Sequence, residues 1–148
     1  MFKRILVSTD GSKLSGKAVR TAVRLAKATG ASVTGAYVAA PYMAPVYSEG
    51  AMYLPAVSPA RYKAMTEREA RKVLAAVELE AGIAGVACAT AALTAVNPWE
   101  GIIRAARSKK CDLIVMASHG RRGLAGLLLG SETTKVLTHS KIPVLVCR

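Results

Sequence analysis

Aromatic side chains are scarce: Trp99 is the only tryptophan, there is one phenylalanine, and aromatics make up 5% of the 148 residues. The interior must therefore be filled by alanine and valine, which requires close approach of backbones. Cysteine is scarce as well. Cys88, Cys111 and Cys147 are too few and too scattered for a disulfide framework, and they lack the paired short spacings of a structural zinc site. Each lies in or beside an apolar run, so they read as free, buried small hydrophobes of a cytoplasmic protein. No apolar run reaches the ~18 residues that cross a bilayer, so no membrane span is expected. Met1-Phe2-Lys3-Arg4-Ile5 enters a strand-like run at once and leaves no room for a secretory h-region.

Acids are few. Nine stand against 21 lysines and arginines, for a net charge of +12. That balance favours anionic partners such as nucleotides, polyphosphates, nucleic acid or an anionic surface, without choosing among them. The basic residues are dispersed along helical segments, as on an ordinary solvated face. Neither a nucleic-acid recognition motif nor an aromatic stacking platform accompanies them, so no specific nucleic-acid partner is expected. With 52% hydrophobic residues, a chain of this length reads as one domain over residues 1–148.

Ile5-Leu6-Val7-Ser8 reads as a buried strand that ends at Thr9-Asp10-Gly11-Ser12. From Leu14 to Ala28 apolar residues recur at three- and four-residue steps, with Lys13, Lys17, Arg20, Arg24 and Lys27 opposite. This predicts an amphipathic helix with Ser12 as N-cap and Gly30 as its stop. Ala31–Ala39 reads as a second strand. Residues 40–59 hold four of the six prolines and three tyrosines, which predicts a long loop. A helix follows from Arg61 to Ala81, its apolar positions Val73, Leu74, Val77 and Leu79, with Gly82 ending it. Val86–Leu93 is a weak strand of small residues. Asn97-Pro98-Trp99-Glu100 has a capping-box spacing and opens a helix to about Lys109, where Trp99 packs at the start.

Asp112–Ala117 is the clearest strand, followed by a glycine-rich loop over Ser118–Gly130, a helix from Ser131 to about Thr138, and a closing strand over Ile142–Cys147. Five continuous apolar strands alternating with four helices predict an α/β, Rossmann-like, doubly wound domain with a parallel sheet covered on both faces. Ligands of such sheets bind beyond the carboxyl ends of the strands. The segment from Ala117 through Ser118-His119-Gly120-Arg121-Arg122-Gly123 to Gly130-Ser131-Glu132-Thr133 lies at such an end. Its glycines permit close backbone approach, Gly130-Ser131 opens a helix whose N–H groups can hold phosphate, and Arg121 can add charge-assisted bonds. The spacing supports a phosphate-binding loop or a structural glycine loop. Neither a Walker A sequence nor a G-x-G-x-x-G turn is present. Asp10 is either a ligand-facing carboxylate or an Asx-turn residue. His119 and His139 assemble no metal triad or acid–base pair, and no nucleophile elbow surrounds Ser118 or Ser131, so no catalytic residue is assigned.

Ile5–Ser12, Cys111–Met116, Ser118-His119-Gly120-Arg121, Gly130-Ser131 and Ile142–Val146 together resemble the universal stress protein family across nearly the whole chain, the 40–59 loop apart. The ATP-binding branch of that family carries Gly, two residues, Gly, nine residues, then Gly and Ser or Thr. This sequence matches Gly120, Gly130 and Ser131, with Ala117 in place of the first glycine. The resemblance implies an adenine nucleotide (ATP, AMP or ADP, with or without Mg or Mn) and no resident metal otherwise. It implies that Ser8, Thr9 and Asp10 meet the nucleoside and that Val38 lies by the adenine. Met116 and Ala117 would run past the ribose, and Gly120, Arg121, Gly123, Gly130, Ser131, Glu132 and Thr133 would surround the phosphates. It further implies a cytoplasmic homodimer paired through Ile142–Cys147, acting as a regulator with slow ATP hydrolysis at most. A family member that binds no nucleotide and works through protein contacts is the alternative, favoured by Ala117.

Overall fold

A computed structural model describes residues 1–44, 57–120 and 129–148. Its elements are β1 (Arg4–Ser8), α1 (Lys13–Thr29), β2 (Ser32–Ala39), α2 (Pro59–Ala84), β3 (Cys88–Thr94), α3 (Pro98–Ser108), β4 (Leu113–Ala117), α4 (Ser131–His139) and β5 (Val144–Cys147). The strands form one parallel sheet in the order β3-β2-β1-β4-β5. The strand order reverses between β1 and β4, so their carboxyl ends open a crevice.

The continuous apolar runs follow from burial on both faces. Ile5, Val7, Leu113, Val115 and Ala117 point to α1 and α2, while Leu6, Ile114 and Met116 point to α3 and α4. Alternate residues of one strand thus enter two separate cores. Small residues let the layers close: a Cβ at Gly101 of α3 would stand 2.7 Å from Val38 Cγ1 of β2.

Four expectations need correction. Gly82 does not end α2. The helix runs through it to Ala84, and Gly85 at φ 68 takes the left-handed stop that a residue with a Cβ adopts only with strain. Leu79 does not belong to the buried stripe; it is 67% exposed, because Val77 and Ala81 occupy the inward face. Asn97 makes no side-chain cap. Its Nδ2 donates to Glu100 Oε1 at 3.1 Å, and the Trp99 N–H is taken by Glu132 from α4. Of the cysteines, only Cys111 is buried, whereas Cys88 is exposed on the edge strand β3 and Cys147 is half-buried. Burial pushes the Cys111 thiol above its ordinary value, against a hydrogen bond from Thr34.

The ends of the 40–59 segment are joined by tyrosines. Tyr42 OH donates to Val57 O at 3.0 Å and Tyr62 OH to Ala40 O at 2.8 Å, with the two rings 5.6 Å apart. Residues 45–56 lie outside the described part. No helix of the described residues is long and apolar enough to cross a membrane.

At the opposite end of the sheet from the crevice, Asp112 ties β1 to β4 by accepting the N–H groups of Lys3 at 2.8 Å and Arg4 at 3.0 Å. Desolvation is the largest single influence and raises its carboxyl, but the backbone donors and the Arg4 charge together outweigh it and hold the group below the usual value. The ionised form is therefore favoured by folding. Its contribution is present above the unfolded value of about 3.9 and is lost as pH falls through the depressed one. Asp112→Asn is expected to flatten the acid limb of stability in urea titrations from pH 2 to pH 6. Gly101→Ala is expected to destabilise by about 1–3 kcal/mol, and Val38→Ala in the same chain to restore part of that loss in a double-mutant cycle.

Candidate functional site

The crevice is bounded by the turn after β1 and the segment between β4 and α4. On the first side, Thr9 N–H donates to Ala36 O at 3.0 Å, continuing the strand pairing. The buried Thr9 hydroxyl lies 3.1 Å from Ser15 Oγ and accepts from Gly11 N at 3.2 Å. Asp10 Oδ1 accepts Ser12 N–H at 3.0 Å, and Ser12 Oγ caps α1 by accepting Ser15 N–H at 3.2 Å. Gly11 at φ 78 supplies the left-handed residue that this turn requires. Asp10 therefore forms an Asx turn, and its second oxygen still reaches across the crevice. A Cβ on Gly120 would lie 2.9 Å from Asp10 Oδ2.

On the second side, a hydrogen-bonded knot sets the start of α4 over the end of β4. Ser118 N–H donates to Cys147 O and Gly130 N–H to Ser118 O, each at 2.7 Å. The buried Thr133 hydroxyl lies 3.0 Å from Ala117 O and 3.1 Å from Ser118 O. Gly130 has φ −72, an ordinary value, and no side chain caps α4. A Cβ at Gly130 would meet Ser118 O at 3.2 Å. His119 Nδ1 lies 3.0 Å from Ser118 Oγ, and its buried Nε2 has no hydrogen-bond partner among the described residues. Ala117 lies in β4 with a negative φ, and its methyl group joins the α1 core, so it does not strain the strand end.

Of the residues singled out in the sequence, Ser8, Thr9, Asp10, Ala117, Gly120, Gly130, Ser131 and Thr133 bound this crevice from the ends of β1, β4 and the start of α4. Three are directed elsewhere. Met116 is in the α3–α4 core, and Val38 packs beneath Gly101. Glu132 turns to α3, with Oε2 accepting Trp99 N–H at 2.9 Å and Oε1 lying 3.4 Å from Lys135 Nζ. Arg121 and Gly123 lie outside the described residues. The sequence reading missed Ser15, which backs Thr9, and Gly101, the helical glycine whose lack of a side chain signals close packing.

Beside the β1 turn, a cavity of about 280 Å³ lies between α1 and α2, lined by Thr9, Gly11, Ser12, Arg20 and Lys72 among others. Neither Asp10 nor Gly120 lines it, so the crevice defined by the hydrogen bonds, with the uncapped helix start, is the better candidate. Among the described residues, no group of three or more His, Cys, Asp or Glu is placed to hold a metal ion.

Comparison with known proteins agrees with this architecture. A family model described as the universal stress protein family matches residues 1–148. Universal stress protein YxiE of Bacillus subtilis is 33% identical over 149 residues, covering 100% of both chains. A crystal structure from this family in Burkholderia pseudomallei superposes with a TM-score of 0.75 at 27% identity, over 97% of this chain and 94% of the other. A universal stress protein crystallised in complex with cAMP gives a TM-score of 0.68 at 27% identity, over 99% of this chain and 97% of that one.

Thr133→Val keeps the shape of the side chain but leaves the carbonyls of Ala117 and Ser118 without this donor. It is expected to lower stability by about 1–3 kcal/mol, read as a reduced urea midpoint with an unchanged slope.

Proposed function

Because the chain belongs to the universal stress protein family, we propose that it binds an adenine nucleotide in the β1–β4 crevice and acts as a regulator rather than a fast enzyme. The observation that carries this reading is the start of α4. It has no side-chain cap, it follows a glycine at ordinary φ, and its one acidic first-turn residue is turned onto α3. An uncapped helix start with its dipole is a suitable seat for phosphate. Gly120, Gly130, Ser131 and Thr133 would stand around the phosphates, and Asp10 would meet the ribose or adenine side. Gly120 supports that placement, since its bare Cα lies beside the Asp10 carboxylate, which a Cβ there would approach to 2.9 Å and displace.

The related protein crystallised with cAMP supports an adenine nucleotide as the ligand class. ATP is our preferred ligand, with AMP and ADP as lesser ones and Mg or Mn as a companion of the phosphates. When bound, ATP would supply a hydrolysable phosphoanhydride. The residues of this crevice bind and orient it, and turnover is slow at most. We place the protein in the cytoplasm as a homodimer. Its dimer contact would be the edge strand β5, where Leu145 is 38% exposed, because an open apolar edge favours pairing. The second reading, regulation by protein contacts without nucleotide, draws on Val38, whose side chain is already in contact range of α3.

ATP is expected to raise the melting temperature through mass-action stabilisation, and GTP to raise it less. Asp10→Ala should weaken ATP and adenosine alike, while Gly130→Val should abolish ATP binding: φ −72 admits a branched residue, but its Cβ, 3.2 Å from Ser118 O, would push the helix start out of place. Calorimetry on folded variants checks both. An unchanged melting curve at millimolar ATP, with no nucleotide released from denatured protein, would promote the second reading.

A further inference from the structure

On the face of the sheet covered by α3 and α4, a second concavity of about 680 Å³ is lined by Trp99, Glu100, Ile103, Arg104, Arg107 and His139, with Ser108 at one end. Trp99 and Arg107 lie two turns apart on α3, so the helix presents a ring and a guanidinium on one side, with Ile103 buried in the core between them. The walls are held in place from several elements. Trp99 N–H is fixed by Glu132 at 2.9 Å, and its ring lies 4.5 Å from the His139 imidazole. His139 Nδ1 is 2.8 Å from Lys135 O, and Arg104 Nη2 donates to Thr94 O at 2.9 Å. Side chains already immobilised lose little freedom when a partner arrives.

Tryptophan and arginine are the residue types that most often anchor protein interfaces. The acid in the groove, Glu100, accepts from Asn97 Nδ2 at the helix start. Arg104 and Arg107 give the groove its cationic side, and a second copy seated symmetrically here would set those guanidiniums against their own equivalents. We propose that this groove docks an acidic segment of a partner protein, with an apolar side chain against the Trp99 ring and carboxylates on Arg104 and Arg107. The docking does not depend on nucleotide in the crevice, so the two readings stand or fall separately.

Trp99 is the only tryptophan, so its emission reports on this groove alone. The probe is a synthetic twelve-residue peptide of alternating Glu and Leu (~12 residues suit one helix-length groove), titrated against the full chain without nucleotide. The expected result is a saturable change in Trp99 emission, about tenfold weaker with Gln in place of Glu, one 1.4 kcal/mol decade for the two guanidinium–carboxylate pairs lost. Arg104→Glu with Arg107→Glu should weaken binding by a similar factor, and Arg107→Gln alone should weaken it in a chain less at risk of misfolding. Arg24→Glu with Lys27→Glu, the same charge change on exposed α1, should have little effect. The proposal is overturned by an absent or non-saturable response, by equal binding of the Gln peptide, or by equal loss in the α1 variant. An oligothymidylate of the same charge binding as tightly as the peptide would also overturn it and mark the groove as a general polyanion surface.

Discussion

The candidate site depends on one hydroxyl. Thr133 lies within hydrogen-bond reach of both the Ala117 and Ser118 carbonyls, at the point where β4 ends. A buried carbonyl without a donor is costly, so this contact fixes the first turn of α4 against the end of β4. The Gly130 N–H donating to Ser118 O closes the same knot from the other side. With the helix start fixed there, Gly130 and Ser131 sit beside the end of β4 at the strand-order reversal.

That geometry also explains why Ala117 is accommodated where the resemblance leads one to expect glycine. The alternation along β4 sends its methyl into the α1 core with Val115 and Leu113, away from the crevice. The backbone there is ordinary strand, so glycine's special conformations are not needed. Gly120 lies against the Asp10 carboxylate, where a Cβ would push that oxygen aside, and a Cβ at Gly130 would meet backbone at Ser118 O. The three glycine positions of the motif are thus physically unequal in this chain: the first accepts alanine, whereas the other two stand against the carboxylate and the backbone.

The order and type of elements were legible because the patterns are local. Continuous apolar strands, the charged stripe of α1 and the Ser12 and Pro98 starts each follow from a few neighbouring residues. Less legible was anything decided by distant packing. Leu79 fits a helical apolar pattern, yet α2 has room for only one inward stripe. Gly82 looks like a stop, but a helix ends where a left-handed residue is needed, and that is Gly85. The Asx turn at Asp10 was readable from the dipeptide with Gly11, whereas its proximity to Gly120, 110 positions away by number, came only from the fold. Glu132 sits in the phosphate-facing motif by sequence, and nothing local signals its bond to Trp99.

That bond has a consequence for how charge is distributed over the surface. A carboxylate in the first turn of α4 would compete for the helix dipole with any anion arriving in the crevice. Directed onto Trp99 N–H and beside Lys135, the same carboxylate stabilises the start of α3 instead and leaves the start of α4 electropositive. One acid thereby serves two neighbouring features. It turns its own charge away from the crevice, where Asp10 already stands, and it holds the start of the helix that carries Trp99 and Arg107. With only nine acids against 21 bases, the position of each carboxylate strongly affects the local field.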